Sequence, residues 1–300
     1  MPNEYLAHVL DLLEEHSLRR EHVDWTALRA EAFARTEGAS SPAEVYGEIQ
    51  RAVRALGDPH TFFLTPEAVR EAFGEGGEGG EDGGAASGTM PTGKIVEGRF
   101  ALVALPESSG DEAEDERYVG AGVALLRELD AARSAGWIVD LRGNTGGGMY
   151  APLTVLAPLL GEGRIGAFVN AGGEEEGVWS QRDGRIFVDD ETLPLPANPL
   201  ALAAPDAPVA VLTDGDTMSA AEAVVIALRG RPGTRTFGAP TGGVPTGNVA
   251  IDLADGAMLV LTVAGEADRT GHAYPAAPIE PDEPAEDALA AAVVWLSSLR

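Results

Sequence analysis

Ser219 is the residue of this chain whose setting best suits a chemical reaction. It follows an apolar run and a turn of small residues, and it stands at the start of a predicted helix within residues 208–222. A serine on such a corner lies beside backbone N–H groups that have no partner inside the helix, and these groups could receive an oxyanion. The segment therefore predicts a nucleophilic serine.

A serine hydroxyl reacts at neutral pH only when a positioned base takes its proton, and this chain offers few bases. Its only lysine is Lys94. Residues 88–95 fit the phosphate-binding pattern G-x-x-x-x-G-K, but Ile95 replaces the Ser or Thr that would bind magnesium, and a predicted strand follows instead of a helix. Lys94 is therefore expected to be a solvated residue at a strand edge.

Histidine is the other possible base, and His60 is the preferred one. It lies in a turn between Asp58 and Thr61. Imidazole titrates near neutrality and is the commonest general base, although a lone turn histidine often only bonds its own loop. His272, in the loop after the last long strand, is the reserve candidate.

A glycine-rich loop offers donors for an oxyanion. Residues 137–148 read as a buried strand that ends in Gly146, Gly147 and a further glycine, which permit close backbone approach to a ligand. The glycine count alone fits a tight turn equally well. Together with the N–H of Ala220, these glycines are candidate oxyanion donors. Glu222 is expected to cap the Ser219 helix by accepting a backbone N–H.

The composition excludes several kinds of partner. A formal net charge of −27 repels nucleic acid and anionic membranes, so we expect neither partner. A solvated acidic surface explains the charge more simply than a preference for cationic substrates. The absence of cysteine removes disulfides and thiolate chemistry. Asp214 and Asp216 have no further ligand at metal spacing, so no metal and no cofactor are expected.

In the first sixteen residues, acidic side chains are interspersed among the apolar ones. This segment lacks the basic start and the continuous apolar stretch of a secretory signal. No membrane-spanning stretch is visible in the sequence. We therefore expect a cytoplasmic protein.

Three segments are predicted. Residues 1–66 form a helical subdomain that carries His60, because apolar residues recur at helical spacing over residues 4–16 and 26–56. Residues 67–93 are rich in Gly and Glu and predict a flexible connector. Residues 94–300 alternate strand and helix patterns and predict an α/β core. Asp183-Gly184 and Asp255-Gly256 predict hairpin turns.

Five motifs follow one another along the chain: LGDPHTFFLTP at 56–66, IVDLRGNTGGG at 138–148, VLTDGDTMSAAEAVVIAL at 211–228, TFGAPTGG at 236–243 and PIEPD at 278–282. This set, in this order, resembles the tail-specific or C-terminal-processing serine peptidases, particularly the branch of the tricorn core protease. The resemblance implies a mixed α/β fold, α/β with α+β character, related to the crotonase and ClpP spiral of ββα units. It also implies a peptide or protein substrate and allows a homo-oligomer.

The resemblance also implies roles for single residues. In the lysine-using branch the base would fall within residues 236–248, which contain no lysine. In the tricorn-like branch a histidine serves, and His60 matches that position. The carboxylate that completes such a site falls near Ala276, where Glu280 is the nearest acid, with Asp58 as the other choice for orienting the imidazole. The interval of residues 67–93 is too short for the PDZ domain that family members usually carry.

These inferences predict a serine-type peptidase, an endopeptidase or C-terminal-processing enzyme acting on peptides or unstructured protein termini. Ser219 would attack the carbonyl and His60 would act as base and then as acid, with Ala220, Gly146 and Gly147 donating to the oxyanion. The alternative is a non-catalytic module on the same fold that binds a peptide or an apolar ligand.

Overall fold

The computed structural model describes residues 2–73 and 90–299. Over these ranges the chain forms eight α-helices and fourteen strands in two sheets, which confirms the predicted mixed α/β class. No helix in the described ranges is both long and apolar enough to cross a membrane. The described residues group into two compact units, one made of residues 2–73, 170–174 and 246–265 and the other of the rest.

The first unit is mainly helical. The buried residues of its first helix, Leu6, Val9, Leu10 and Leu13, recur at three- and four-residue intervals, which gives the helix one apolar face. The predicted helical stretch 26–56 is two helices, because the chain breaks at Thr36 and re-enters through a short 3₁₀ turn at Pro42–Val45. The helices are α1 (Pro2–His16), α2 (Trp25–Arg35), α3 (Tyr46–Ala55) and α4 (Pro66–Phe73).

Three strands complete the first unit, numbered along the chain as β1 (Phe62–Leu64), β11 (Thr246–Asp252) and β12 (Met258–Asp268). β1 and β11 both pair antiparallel with β12, which belongs to this unit up to Gly265. The hairpin between β11 and β12 turns at Asp255-Gly256, as predicted.

The predicted division at residue 94 differs from the observed units, because this hairpin belongs with the N-terminal helices. Leu253, Leu259 and Leu261 are buried in the same apolar cluster as the core residues of α1 and α3. Burying such leucines removes apolar surface from water, at about 25 cal/mol per Å². The free energy gained by this burial stabilises the hairpin of β11 and β12 within the first unit, although the hairpin is distant in sequence from the N-terminal helices.

A six-stranded sheet lies at the centre of the second unit. Its strands are β2 (Thr92–Val96), β3 (Phe100–Ala104), β4 (Gly136–Asp140), β9 (Val209–Thr213), β10 (Thr234–Gly238) and β14 (Glu283–Pro284). Their order is β14-β10-β9-β4-β3-β2, and all pairs are parallel except β2 with β3. β4 and β9 are neighbours, so the loops that follow their carboxyl ends emerge at the same edge.

The remaining strands of the second unit are antiparallel. They are β5 (Gly163–Val169), β6 (Glu175–Arg182), β7 (Arg185–Val188), β8 (Glu191–Thr192) and β13 (Ala273–Tyr274). β5 to β8 pair in sequence order, and β13 pairs with the end of β12. The predicted turn at Asp183-Gly184 joins β6 to β7, with φ values of 51° and 73° at these two residues. Both residues adopt the positive φ that a type I′ turn requires.

Four helices pack in the second unit: α5 (Glu112–Ala131), α6 (Tyr150–Leu160), α7 (Ala220–Leu228) and α8 (Ala288–Ser298). Every residue of α7 is buried. A helix that is apolar on all sides is enclosed by other elements, so its position is set by packing over its whole length. The residue that precedes α7 therefore sits on a rigid support.

Two further expectations concern the segment between the predicted subdomain and the core. Lys94 is exposed on β2, the outermost strand of the six-stranded sheet. Of the predicted connector, residues up to Phe73 belong to α4 and those from Thr92 onward begin β2. Residues 74–89 lie outside the described residues.

Candidate active site

Ser219 precedes the first residue of α7 and has an unusual backbone. Its φ and ψ are 51° and −117°, a conformation that non-glycine residues rarely adopt. Such strain costs about 1–3 kcal/mol and persists only where the surroundings impose it. The turn after β9 therefore holds Ser219 in a sharp bend at the start of a buried helix, and its side chain is half-buried.

The side chain of Glu222 stabilises this bend by a hydrogen bond. Its Oε2 accepts the N–H of Ser219 at 2.9 Å, which confirms the expected capping role. The same carboxylate accepts the N–H groups of Gly243 at 3.0 Å and Val244 at 2.9 Å, together with the Thr241 hydroxyl. Burial raises the pKa of Glu222, although these four donors oppose the shift. Glu222 thus connects the nucleophile turn to residues 241–244.

The glycine loop after β4 packs directly against Ser219. A Cβ added to Gly146 would lie 2.9 Å from the Cβ of Ser219, so only glycine allows this approach. The carbonyl of Asn144 accepts the N–H of Met218 at 3.0 Å, and its side chain donates to the carbonyl of Leu105 at 2.9 Å. Asn144 therefore links the loop both to the Ser219 turn and to the end of β3.

The predicted oxyanion donors differ in availability. The N–H of Gly146 donates to Oδ1 of Asn144 at 3.0 Å, so the loop itself uses this group and the prediction for Gly146 needs correction. Asparagine side chains commonly bond the backbone two residues ahead. Within residues 90–299, neither the N–H of Gly147 nor that of Ala220 has an acceptor. These two N–H groups are the available donors.

Replacing Gly147 by alanine should lower kcat by about 10²- to 10³-fold, the usual cost of losing one oxyanion donor. Its φ is 80°, and an added Cβ would lie 1.8 Å from the carbonyl oxygen of Ser108, so the loop must shift. Gly143→Ala is the matched control, because Gly143 has φ 70° with open space around it. Equal losses of kcat in the two variants would contradict the donor role.

His60 lies in the first unit, in the turn between α3 and β1. Its Nδ1 is 2.7 Å from Oγ1 of Thr246, and its carbonyl accepts from the side chain of Asn248 at 3.0 Å. When Nδ1 carries the proton it donates to Thr246, and Nε2 is then free to accept one. Burial lowers the pKa of His60 below its ordinary value of 6.5, and the nearby Asp58 carboxylate opposes this shift.

The group at Nδ1 is a hydroxyl, whereas the sequence led us to expect a carboxylate from Glu280 or Asp58. Asp58 instead accepts the backbone N–H of His60 at 3.0 Å and the hydroxyl of Thr61 at 2.5 Å, so it holds the turn rather than the ring. Glu280 lies exposed in the second unit, and its carbonyl accepts from Arg229. The role predicted for the Glu280 carboxylate stays a prediction.

His272, the reserve base, lies in the second unit near the end of β12. The backbone N–H of His272 donates to the carboxylate of Asp268 at 3.2 Å. The imidazole packs edge-on against the Tyr274 ring, with an interplanar angle of 85° and ring centroids 4.9 Å apart. The residue is exposed. His272 therefore sits in a local turn, with no described contact to Ser219 or to the glycine loop.

Sequence reasoning missed three residues that hold these groups in place: Asn144, Thr241 and Thr246. Each makes a hydrogen bond to a residue that is distant in the chain; the pair of His60 and Thr246, for example, is separated by 186 residues. Threonine and asparagine occur throughout surface loops, so their type and spacing carry no distinguishing signal. Only the Asn-Thr-Gly-Gly-Gly order of residues 144–148 could have drawn attention to Asn144.

Known proteins share both the sequence pattern and the fold. The nisin-resistance protein of Lactococcus lactis subsp. lactis is 28% identical over 297 residues, covering 99% of this chain and 87% of that protein. A lipoprotein from Streptococcus agalactiae superposes with a TM-score of 0.76 at 25% identity, over 99% of this chain and 96% of the other.

A more distant structure, the photosystem II D1 C-terminal processing protease, superposes with a TM-score of 0.70 at 17% identity, over 95% of this chain and 93% of the other. At this identity the likeness concerns the fold alone. The model of peptidase family S41 matches residues 116–285, more than half of the chain and the whole segment from the glycine loop to α7 and beyond. The chain belongs to peptidase family S41 and is a serine peptidase, with peptides or proteins as its substrates.

Proposed function

We propose that Ser219 is the nucleophile of this peptidase and that His60 is its general base. The observation that carries the first assignment is the strained bend at Ser219, which places a half-buried hydroxyl beside the unbonded N–H of Ala220 and against the glycine loop that carries the unbonded N–H of Gly147. Strained backbone that is over-determined by its surroundings is typical of reactive positions.

The proposed reaction is acyl transfer to Ser219 followed by hydrolysis. The hydroxyl attacks the substrate carbonyl while His60 takes its proton, and the N–H groups of Ala220 and Gly147 bind the oxyanion. His60 then gives the proton to the leaving amine. In the second half, His60 activates a water that releases the acyl group from Ser219. The hydroxyl of Thr246 orients the imidazole in this scheme.

The activity should depend on pH through His60. A general base must be neutral to act, and burial lowers the pKa of His60 below 6.5. We therefore expect kcat/KM to fall as the pH drops, with the midpoint of this fall below pH 6.5. A kcat/KM profile measured with a neutral peptide tests this. An acid limb with its midpoint above 6.5 would contradict the assignment.

We further propose that the enzyme cleaves near the ends of peptides and unstructured proteins, as a C-terminal-processing endopeptidase. The similarity of the fold to a C-terminal processing protease supports this proposal. The placement in the tricorn-like branch, the lack of a PDZ domain and the formation of a homo-oligomer stay predictions. The cytoplasmic location also stays a prediction, and one relative is named a lipoprotein.

A mass-spectrometric map of cleavage products tests this substrate class. An unstructured protein and its C-terminally amidated form should be cut at the same bonds near the C-terminus, with a higher rate for the free carboxylate form. Treatment with a fluorophosphonate beforehand should abolish every product. Cleavage spread evenly along the chain would exclude the C-terminal preference while leaving the peptidase assignment intact.

A further inference from the structure

The backbone of His60 is held by side chains at both of its polar groups. Its N–H donates to Oδ1 of Asp58 at 3.0 Å, and its carbonyl accepts from Nδ2 of Asn248 at 3.0 Å. His60 lies in a turn, and β1 pairs with β12 only from Phe62 onward. Side-chain hydrogen bonds therefore set the backbone conformation at this position. The bond from Asn248 is the long-range one, across 188 residues.

Asn248 and Thr246 both reach His60 from β11. They are two residues apart on this strand and therefore lie on the same face of it. The hydroxyl of Thr246 contacts Nδ1 of the ring at 2.7 Å, and the amide of Asn248 contacts the carbonyl. One face of β11 thus holds both the side chain and the backbone of His60.

A β-bulge in β12 lies opposite these contacts. Asn248 pairs with Thr262 and the residue before it pairs with Ala264, so β12 has one extra residue at this step. Bulges increase the local twist, change the direction of side chains and are common next to active sites. The N–H of Thr262 also donates to Oγ1 of Thr61 at 3.1 Å, so the same part of the hairpin holds the residue after His60.

The asparagine at position 248 carries an energetic cost. Its Oδ1 is buried and has no hydrogen-bond partner within residues 2–73 and 90–299. A buried polar atom without a partner destabilises the folded state. Among the described residues, the bond from Nδ2 to the carbonyl of His60 is the only hydrogen bond of this side chain. An apolar residue would avoid the cost, so we attribute the asparagine to its bond with His60.

We propose that Asn248 is a positioning residue for the general base: its amide fixes the backbone of His60 so that Nδ1 donates to Thr246 and Nε2 is left to accept a proton. This inference rests on the proposed function, because it takes His60 as the base. The hydrogen bond made by one ring nitrogen determines which nitrogen of a histidine carries the proton. A shift of the His60 backbone would lengthen the contact with Thr246 and weaken this selection. Asn248 acts on the reaction only through His60.

Replacing Asn248 by leucine, which is similar in size but has no donor, should lower kcat about tenfold and leave KM unchanged. A tenfold loss corresponds to about 1.4 kcal/mol, the effect of a single hydrogen bond. Asn248→Asp keeps the shape of the side chain and also lacks the donor, so its kcat should fall at least as far. This second variant tests the proposal if Asn248→Leu does not fold. Both are measured with a short neutral peptide.

The tautomer of His60 is a readout that a merely structural role would not change. In wild-type protein with ¹⁵N-labelled histidine, the ring signals that are missing from His60→Ala should show the proton mainly on Nδ1. In folded Asn248→Leu, the share of the Nε2–H tautomer should rise. Val249→Thr is the matched control, because Val249 is the next residue of β11, exposed and on the opposite face. It should keep the kcat and the tautomer of the wild type.

A double-variant cycle tests whether Asn248 and Thr246 act on the same ring. The loss of kcat in Thr246→Val combined with Asn248→Leu should be smaller than the product of the two single losses, because both residues position one imidazole. Losses that multiply would overturn the proposal. An unchanged kcat in Asn248→Leu, or a lower kcat with an unchanged tautomer, would overturn it as well.

The outcome also separates this inference from the proposed function. Full activity in His60→Ala would refute the assignment of the base, whatever the effect of Asn248. Hydrolysis that requires His60 but is unaffected in Asn248→Leu and Asn248→Asp would refute only the role of Asn248.

Discussion

Replacing Ser219 by alanine should abolish peptide hydrolysis, with kcat reduced by about five orders of magnitude or more. The variant loses the nucleophile but keeps the capping contact of Glu222, which involves only the backbone N–H of residue 219. The folded structure and peptide binding should therefore persist. The measurement is kcat on a short peptide, together with labelling by a fluorophosphonate probe.

The probe should modify wild-type Ser219, as identified by peptide mapping, and should leave Ser219→Ala unlabelled. Ser298→Ala is the control, because Ser298 is an exposed serine at the end of α8. Its activity and labelling should equal those of the wild type. Turnover by pure, folded Ser219→Ala would show that another group attacks the substrate, and a wild type without labelling or hydrolysis would favour the non-catalytic binding module.

Replacing His60 by alanine should lower kcat by about 10⁴-fold or more, because the Ser219 hydroxyl then has no base. Its effect on KM should be small, since the imidazole acts on the proton rather than on the bound peptide. Free imidazole added to His60→Ala should restore part of the activity, because it can supply the missing base in the space that the side chain leaves. The acid limb of the pH profile should then follow the added imidazole.

His272→Ala is the control that separates the two candidate bases. His272 is exposed and bonded within its own turn, so its loss should change kcat by no more than about twofold, as for most surface substitutions. If kcat fell strongly in His272→Ala and only slightly in His60→Ala, His272 rather than His60 would be the general base. The kcat of Thr246→Val should lie between those of the wild type and His60→Ala, because this substitution removes only the hydroxyl that orients the ring.

Several parts of the molecule could be predicted from local sequence. The turns at Asp183-Gly184 and Asp255-Gly256 were predicted correctly, because the backbone conformation they need depends on the two residues themselves. The capping contact of Glu222 was also predicted, since a carboxylate three residues after a helix start can reach back to the backbone. Such features depend on contacts between near neighbours in the chain.

Other parts depended on long-range packing. The hairpin of β11 and β12 belongs with the N-terminal helices because of the leucines it buries, and no local pattern indicates which helices will cover them. The N–H of Gly146 is unavailable to a substrate because it donates to the side chain of Asn144, and this hydrogen bond depends on the conformation of the loop. The hydroxyl of Thr246, rather than a carboxylate, lies next to Nδ1 of His60 because the fold brings together two residues that are 186 positions apart in the chain.

By itself, the sequence determined the α/β class, the likeness to a peptidase family and the proposal that Ser219 and His60 react, because these follow from short motifs and helix and strand periods. Only the tertiary structure decided which N–H groups stay free for an oxyanion, which hydroxyl orients His60 and which amide holds its backbone. The physical reason is that hydrogen-bond satisfaction and burial are properties of groups brought together from distant parts of the chain.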